Sequence, residues 1–190
     1  IDDQEINEDE SLSVDVIVSN MSMATLFVST DTAALSATMM GYTNQYLNIE
    51  PQENWNGTGT VTLIANGGPV GSDTTEFLVT VNPVNDSPEG FTILYPTELD
   101  TFNTHVDYDM PIPFRWEKSY DVDSDILYTL TIELEFFGNI YTDVHENIMD
   151  TTINIFSNTL HPLLNVTSQD LATLTYKVEA SDEEFVILSN

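Results

Sequence analysis

Apolar and polar residues alternate with a period of two along most of the chain. In the first half, alternating or β-branched runs occupy residues 12–18, 46–49, 61–65 and 76–81. In the second half, they occupy residues 91–95, 112–116, 127–134, 140–144, 152–156, 174–180 and 185–188. Such alternation places side chains on opposite faces of a β-strand, and helical periodicity is nearly absent. The pattern therefore predicts an all-β protein.

A stretch rich in proline and asparagine interrupts this pattern near the middle of the chain. Residues 82–88 read NPVNDSP, and a residue that precedes proline is held in an extended conformation. Each flanking piece has the size of a small β-sandwich, and Asn-Gly turn signals separate strands of the first one. We expect two tandem Ig-like, Greek-key sandwiches, over residues 1–86 and 87–190, joined by this short connector.

Charge is the most unusual feature of the composition. The 190 residues include 32 Asp and Glu against 3 Lys and Arg, which gives a formal net charge of −29. Such a surface repels phosphate backbones and anionic lipids, so nucleic acid is excluded as a partner. No apolar run reaches the roughly 20 residues that span a bilayer, so membrane insertion is not expected. High acidity is also typical of proteins from saline environments, where it maintains solubility.

The residue types that common catalytic sites require are missing or scattered. The chain has no Cys, which excludes thiol catalysis, thiolate–zinc sites and disulfide bonds. Its three His are far apart in the sequence, and neither a Gly-rich phosphate loop nor a G-x-S-x-G motif occurs. We therefore expect no enzymatic activity.

Acidic and amide residues are concentrated in particular loops of the two predicted sandwiches. In a Greek-key sandwich, the loops after the second and the penultimate strands lie at the end where the first strand enters. In the second half these are residues 121–125 and 181–184, and the facing end of the first half carries residues 8–10 and 50–54. Four acidic segments would converge on the connector, and such hard oxygen ligands suit calcium. Alternatively, these loops are solvated turns in which Asp and Asn cap backbone groups.

Three segments of the first half resemble bacterial cadherin-like tandem repeats. They are DQEINEDE at residues 3–10, LNIEP and NWNGT within residues 47–58, and the closing stretch 77–88, which contains VNPVNDSP. The second half is similar to a fibronectin type III or Ig-like module through FRW at 114–116, SYDVDSD at 119–125 and YKVEASD at 176–182. Such domains occur in large secreted or surface adhesion proteins.

The resemblance to cadherins implies calcium at the junction of the two domains. Cadherins hold calcium through an acidic turn after the first strand, an Asx-rich linker and an Asp-x-Asp loop of the following domain. The matching positions, together with the last Asp of the same loop, are Glu8 or Glu10, Glu53, Asn85, Asp86, Asp121, Asp123 and Asp125.

We therefore expect a structural and adhesive segment of a long extracellular or cell-surface bacterial protein. The chain begins at Ile1 rather than Met, so we expect it to be a piece of that polypeptide, with neighbouring domains of the same chain as its partners. The alternative is an accessory module that binds a glycan or a cell-surface protein, and a row of exposed Tyr and Trp would favour the glycan. Trp116 ends an apolar strand and is expected in the core, and Trp55 packs inward in the repeat family.

Overall fold

The computed structural model describes residues 1–19, 24–41, 45–98, 100–102, 110–156, 160 and 172–190. The chain divides into two compact units, unit 1 (Ile1–Val84) and unit 2 (Asn85–Asn190). Each sheet draws its strands from one unit alone, and each unit pairs two sheets around its own core. The prediction of an all-β, Ig-like chain is confirmed.

Unit 1 is a Greek-key sandwich. Its described residues form β1 (Gln4–Asn7), β2 (Leu12–Asp15), β3 (Thr25–Thr30), β4 (Leu35–Met40), β5 (Tyr46–Pro51), β6 (Gly57–Asn66) and β7 (Ser72–Asn82). A short 3-10 turn, Gly68–Val70, joins β6 to β7. The sheet orders are β1-β7-β6-β3 and β2-β5-β4. All paired neighbours are antiparallel except β1 and β7, which run parallel with Gln4 opposite Val79.

The core of unit 1 follows the alternation of its strands. In β7, Phe77, Val79 and Val81 are buried between the sheets, whereas the side chains between them turn outward or lie half-buried. Trp55 lies half-buried against this core, as expected. Its ring occupies the space beside Gly57, where an added Cβ would lie 3.0 Å from the ring.

Unit 2 is also a two-sheet sandwich. Its described residues form β8 (Ile93–Tyr95), β9 (Pro111–Trp116), β10 (Leu127–Phe136), β11 (Asn139–Ile148), β12 (Thr152–Phe156), β13 (Thr173–Ser181) and β14 (Val186–Leu188). Each of these strands overlaps one of the runs predicted from the sequence. The sheet orders are β12-β9-β8 and β11-β10-β13-β14, and every paired neighbour is antiparallel.

An aromatic cluster forms the core of unit 2. Trp116 is only 2% exposed, which confirms its predicted core position, and its ring centroid lies 5.4 Å from that of Tyr128. The Tyr128 hydroxyl oxygen accepts a hydrogen bond from the Ser119 N–H at 2.8 Å. The Ser119 hydroxyl in turn donates to the Glu89 carbonyl at 2.5 Å. These bonds anchor the first residues of unit 2 to the loop that follows β9.

Candidate functional site

The first residues of unit 2 lie against two of its loops. The Asp86 N–H donates to Asp123 Oδ2 at 2.9 Å, and Asn85 Nδ2 donates to Asp182 Oδ2 at 2.7 Å. The Ser124 hydroxyl approaches Asn85 Oδ1 at 3.4 Å. The structure therefore brings Asn85 and Asp86 together with the loop between β9 and β10 and with the loop between β13 and β14.

The loop between β9 and β10 is organised around Asp121. Asp121 Oδ1 accepts hydrogen bonds from the N–H groups of Asp123 at 2.9 Å and Ser124 at 2.8 Å, which is the pattern of an Asx turn. Asp121 Oδ2 is buried and has no hydrogen-bond partner among the described residues. Asp125 is exposed and takes no part in these hydrogen bonds.

Asp182 is the member of this cluster that the predicted ligand set omits. It is 7% exposed, and its Oδ1 accepts from the Glu184 N–H at 2.8 Å and the Phe185 N–H at 2.5 Å. Desolvation opposes its ionisation, but hydrogen bonds from Phe185, Asn85 and Glu184 outweigh this and lower the pKa of Asp182. The Greek-key argument had already placed its loop beside the connector, and that position was the available signal.

In unit 1, Glu8 is turned toward the end of β7. Glu8 is 3% exposed, and its Oε1 accepts a hydrogen bond from the Val84 N–H at 2.6 Å. Its own N–H donates to the Asn82 carbonyl at 2.9 Å. Glu8 Oε2 is buried and unpartnered within the part of the chain that the structure describes. Of the two alternatives in this turn, Glu8 rather than Glu10 faces the point where the chain leaves unit 1.

Glu10 and Glu53 are exposed, and the structure does not bring them into these hydrogen bonds. The turn after β1 is instead connected to the loop after β5 through Asp9, whose Oδ1 accepts from the Asn54 N–H at 3.0 Å. Both residues have positive φ, 62° for Asp9 and 55° for Asn54, a conformation that Asp and Asn tolerate better than most residues. The predicted set omits Asp9, because family positions alone did not select it.

The carboxylate and amide oxygens around Glu8 in unit 1 and around Asp121 and Asp182 in unit 2 form two clusters of hard oxygen donors. Across the described ranges, no group of three or more His, Asp or Glu side chains is arranged to hold a metal ion. Lys177 and Glu179 form an ion pair there at 2.9 Å, and His145 contacts Asp143 at 3.0 Å; neither pair involves Glu8, Asp121 or Asp182. Glu8, Asp121 and Asp182 are therefore held by backbone and amide donors.

Among the described residues, no helix is long and apolar enough to cross a bilayer.

No family model matches the chain, and no curated protein matches it. Among solved structures, it is similar to InvD of Yersinia pseudotuberculosis, with 10% identity and a TM-score of 0.34, over 98% of this chain and 64% of that one. It is also similar to the extracellular cadherin domains 1–5 of protocadherin gamma B2, with 12% identity and a TM-score of 0.35, over 100% of this chain and 37% of that one.

The chain thus spans less than two thirds of the length of either structure. Both superpositions are loose, and the assignment of an Ig-like fold rests on the strand orders and cores described above.

Proposed function

We propose that the chain is a non-catalytic structural segment of a long extracellular bacterial protein, in which it spaces and presents other domains of the same polypeptide. The direction of the terminal strands within each unit supports this role. A spacer requires the chain to enter each domain at one end and to leave at the other, so that successive domains can follow one another.

Unit 1 meets this requirement through its parallel strand pair. Parallel neighbours begin at the same end of a sheet and finish at the same end. Because β1 pairs with β7 in this way, from Gln4 opposite Val79 to Asn7 opposite Asn82, the chain enters at one end of unit 1 and leaves at the other.

In unit 2, the last strand runs away from the point where the chain enters. The loop after β13 lies beside Asn85, through the hydrogen bond from Asn85 to Asp182. Strand β14 starts from that loop and runs antiparallel to β13, so it runs away from the entry point. The Asn190 N–H donates to the Phe91 carbonyl at 3.0 Å, which places the last residue alongside the segment leading into β8.

Stretching a single chain tests this proposal. Tension along the chain would pull β1 and β7 in opposite directions, so the backbone hydrogen bonds between them would bear the force together rather than one at a time. We expect two separate unfolding events, with contour gains of roughly 300 and 380 Å at about 3.6 Å per residue. A gradual extension at low force, or one combined event, would contradict a role in bearing tension.

A variant provides an internal control for the same measurement. Ile6→Pro removes a backbone donor from β1 and should lower the unfolding force of the shorter event. The longer event, from unit 2, should keep its force, because β1 pairs only within unit 1. A loss of force in both events would show that the effect does not arise from the β1–β7 pair.

We propose in addition that calcium binds the oxygen clusters of this segment. Two buried oxygens without a hydrogen-bond partner among the described residues support this, Glu8 Oε2 in unit 1 and Asp121 Oδ2 in unit 2, because a divalent cation bound in each unit would satisfy the oxygen there. The ligands in each unit would be the family positions, with Asp182 added in unit 2. They are Glu8, Glu10 and Glu53 in unit 1, and Asn85, Asp86, Asp121, Asp123, Asp125 and Asp182 in unit 2.

Calorimetric titration of the whole chain with calcium tests this second part. Extracellular calcium modules bind with a Kd of about 10⁻⁴–10⁻³ M. Free calcium at about ten times Kd should therefore stabilise the chain by about 1.4 kcal/mol. Glu8→Gln and Asp121→Asn each keep an acceptor oxygen and should reduce the heat of binding.

Glu133→Gln is the matched control, since it removes one charge from an exposed position on β10, away from both clusters. If calcium up to about 10 mM gives no heat, or if the control reduces the heat as strongly as Asp121→Asn, the clusters are hydrogen-bonded turns and not metal sites.

The alternative role, a binding module, divides into two cases. Glycan recognition by stacked tryptophans has no support, since Trp116 is buried and Trp55 is half-buried against the core of unit 1. Recognition of a protein has support from one feature of unit 2, the hairpin formed by β10 and β11.

A further inference from the structure

The turn between β10 and β11 contains a residue that the fold does not favour. Phe137 and Gly138 form a two-residue turn with φ of 50° and 76°, the left-handed backbone of a type I′ turn. Such turns strongly favour Asn-Gly, and a bulky residue at positive φ is strained. Phe137 is 83% exposed, with its ring centroid 4.4 Å from that of Phe136, so burial in the core does not offset the strain. Residues that break a local rule without burial in the core are found preferentially at functional sites.

Further apolar side chains follow Phe137 along the outer face of the hairpin. Ile140 and Val144 are exposed on β11 and stand opposite Glu135 and Thr131 of β10. We refer to Phe137, Ile140 and Val144 as the hairpin row. The hairpin itself carries four carboxylates and no Lys or Arg; these are Glu133, Glu135, Asp143 and Glu146.

The edge of β11 is open among the described residues of unit 2. This strand has ten residues and forms the end of its sheet. In a hairpin with a two-residue turn, the flanking pair Phe136–Asn139 exchanges both backbone hydrogen bonds, and the bonded pairs then alternate. The N–H and C=O groups of Ile140, Thr142 and Val144 therefore point away from β10, toward the open edge.

This edge lacks most of the features that protect edge strands from pairing. It contains neither Pro nor Lys, and the irregularity in its pairing with β10 lies at the far end, opposite Tyr128 and Leu130. The acidic side chains are the remaining protection. They repel a second copy of this chain, whose net charge is also −29, and they repel an anionic membrane in the same way.

The same charges attract a basic segment. In a strand added to β11, alternate side chains would lie beside Ile140 and Val144 on the outer face. The side chains between them would lie on the opposite face, where β11 presents Asp143. An incoming segment that alternates apolar and basic residues would place its apolar side chains beside Ile140 and Val144 and its basic side chains on the face of Asp143, which contacts His145 at 3.0 Å.

We propose that the β10–β11 hairpin is a docking edge for an extended segment of another protein, in which apolar residues alternate with Lys or Arg. The segment joins the sheet beside β11 through backbone hydrogen bonds to Ile140, Thr142 and Val144. Its apolar side chains extend the hairpin row, with Phe137 at the turn, and its basic side chains lie on the face of Asp143. This role is independent of the spacer function.

The first test uses a synthetic peptide of about ten residues that alternates Val and Lys, titrated into the isotope-labelled whole chain. The amides of Ile140, Thr142 and Val144 should become protected from hydrogen exchange. The amides of Tyr141 and Asp143 should change little, because they already donate to β10. A matched peptide with Ser in place of Val, and another with Glu in place of Lys, should bind at least about tenfold more weakly, a difference of about 1.4 kcal/mol.

Several results of this titration would overturn the proposal. Shifts spread over acidic residues throughout both units would show charge attraction without a site. Equal binding of the Ser-containing peptide would lead to the same conclusion. Neutral phosphatidylcholine vesicles should leave the hairpin amides unchanged, and a response of the hairpin to these vesicles alone would indicate a lipid surface instead of a protein partner.

Two substitutions test the geometry. Thr142→Pro removes an outward donor and leaves the hydrogen bonds to β10 in place, so peptide binding should weaken about tenfold, whereas Thr142→Val keeps the donor and should bind as the parent does. Phe137→Asn creates the favoured Asn-Gly turn and should raise the melting temperature while weakening binding. Parent-like binding by Thr142→Pro or by Phe137→Asn would refute the proposal. If Thr142→Pro fails to fold, the exchange pattern of the parent chain decides.

Discussion

At the entry to unit 2, single carboxylates accept hydrogen bonds from backbone N–H groups and from a side-chain amide. Asp182 shows this most clearly, since one of its oxygens accepts from the N–H groups of Glu184 and Phe185 and the other from Asn85. These donors stabilise the ionised form, so they account for the lowered pKa of Asp182 despite its burial. Because the side chain of Asn85 donates to the ionised carboxylate, the position of this connector residue depends on the charge of Asp182.

The stability of unit 2 should consequently depend on the charge of Asp182. A pKa that is lower in the folded chain than the unfolded value of about 3.9 adds stability above that value, and this stability is lost as the pH falls through the folded pKa. In urea unfolding we expect Asp182→Asn to be less stable than the parent near neutral pH. The difference should begin to shrink below about pH 4, where the unfolded chain takes up the proton, and should continue to shrink as the pH falls through the lower pKa of the folded chain.

Glu183→Gln is the matched control, because Glu183 is the exposed neighbour of Asp182 and its side chain accepts none of the loop hydrogen bonds described above. A pH profile of Asp182→Asn that runs parallel to that of the parent would show that the hydrogen bonds do not depend on the charge.

At the scale of strands, the sequence predicts unit 2 better than unit 1. All described strands of unit 2 overlap predicted runs, whereas β1, β3 and β4 of unit 1 were not predicted, although β3 and β4 alternate in burial. Strand β1 reads QEIN and buries Ile6 alone, so its strand conformation comes from pairing with β7, which no local pattern records. Strand β6 begins four residues before its predicted run, at Gly57, because Asn56-Gly57 resembles a turn signal in the sequence.

The candidate site was less predictable than the fold, for a physical reason. Loop positions follow from strand order, and the loops at residues 121–125 and 181–184 do lie beside the connector residues Asn85 and Asp86. The side chain that turns inward within a loop depends on backbone torsion angles that the sequence pattern does not contain. For this reason Glu8 and Glu10 could not be distinguished beforehand, and both Asp9 and Asp182 were omitted.

Replacing Gly59 by Ala tests why a glycine occupies this position in β6. An added Cβ would lie 3.0 Å from Leu35 Cδ2 and 3.0 Å from Thr32 Cγ2, and Leu35 is fully buried. Gly59→Ala should therefore destabilise unit 1 by about 1 kcal/mol, since the strain of overpacking exceeds the entropy gained in the unfolded chain. Gly90→Ala is the control, because the nearest atom, Asn190 Nδ2, is at an ordinary 3.5 Å. Greater stability of Gly59→Ala in chemical denaturation would show that Leu35 can move away.

At the scale of the whole molecule, the excess of negative charge is the main feature that opposes folding. The chain has 32 acidic residues against 3 Lys and Arg, and within the described residues Lys177 forms an ion pair with Glu179. Repulsion among carboxylates is smaller in an expanded chain, so it favours the unfolded state. The folded chain tolerates this repulsion because the acidic side chains lie mainly in loops and on outward faces, where water screens them.

Added salt should accordingly stabilise the chain even with a chelator present to remove calcium. The Debye length falls from about 30 Å at 0.01 M to about 10 Å at 0.1 M salt, which screens most pairs of exposed carboxylates. Differential scanning calorimetry should show the melting temperature rising by several degrees over this range in sodium chloride, since about 1 kcal/mol corresponds to about 4–8 °C for a small domain. Sodium sulfate at matched ionic strength separates screening from the general stabilisation that comes from exclusion of sulfate from protein surfaces. If chloride has no effect and sulfate alone raises the melting temperature, the carboxylates are too dispersed for their repulsion to matter, and the acidity of the chain serves solubility only.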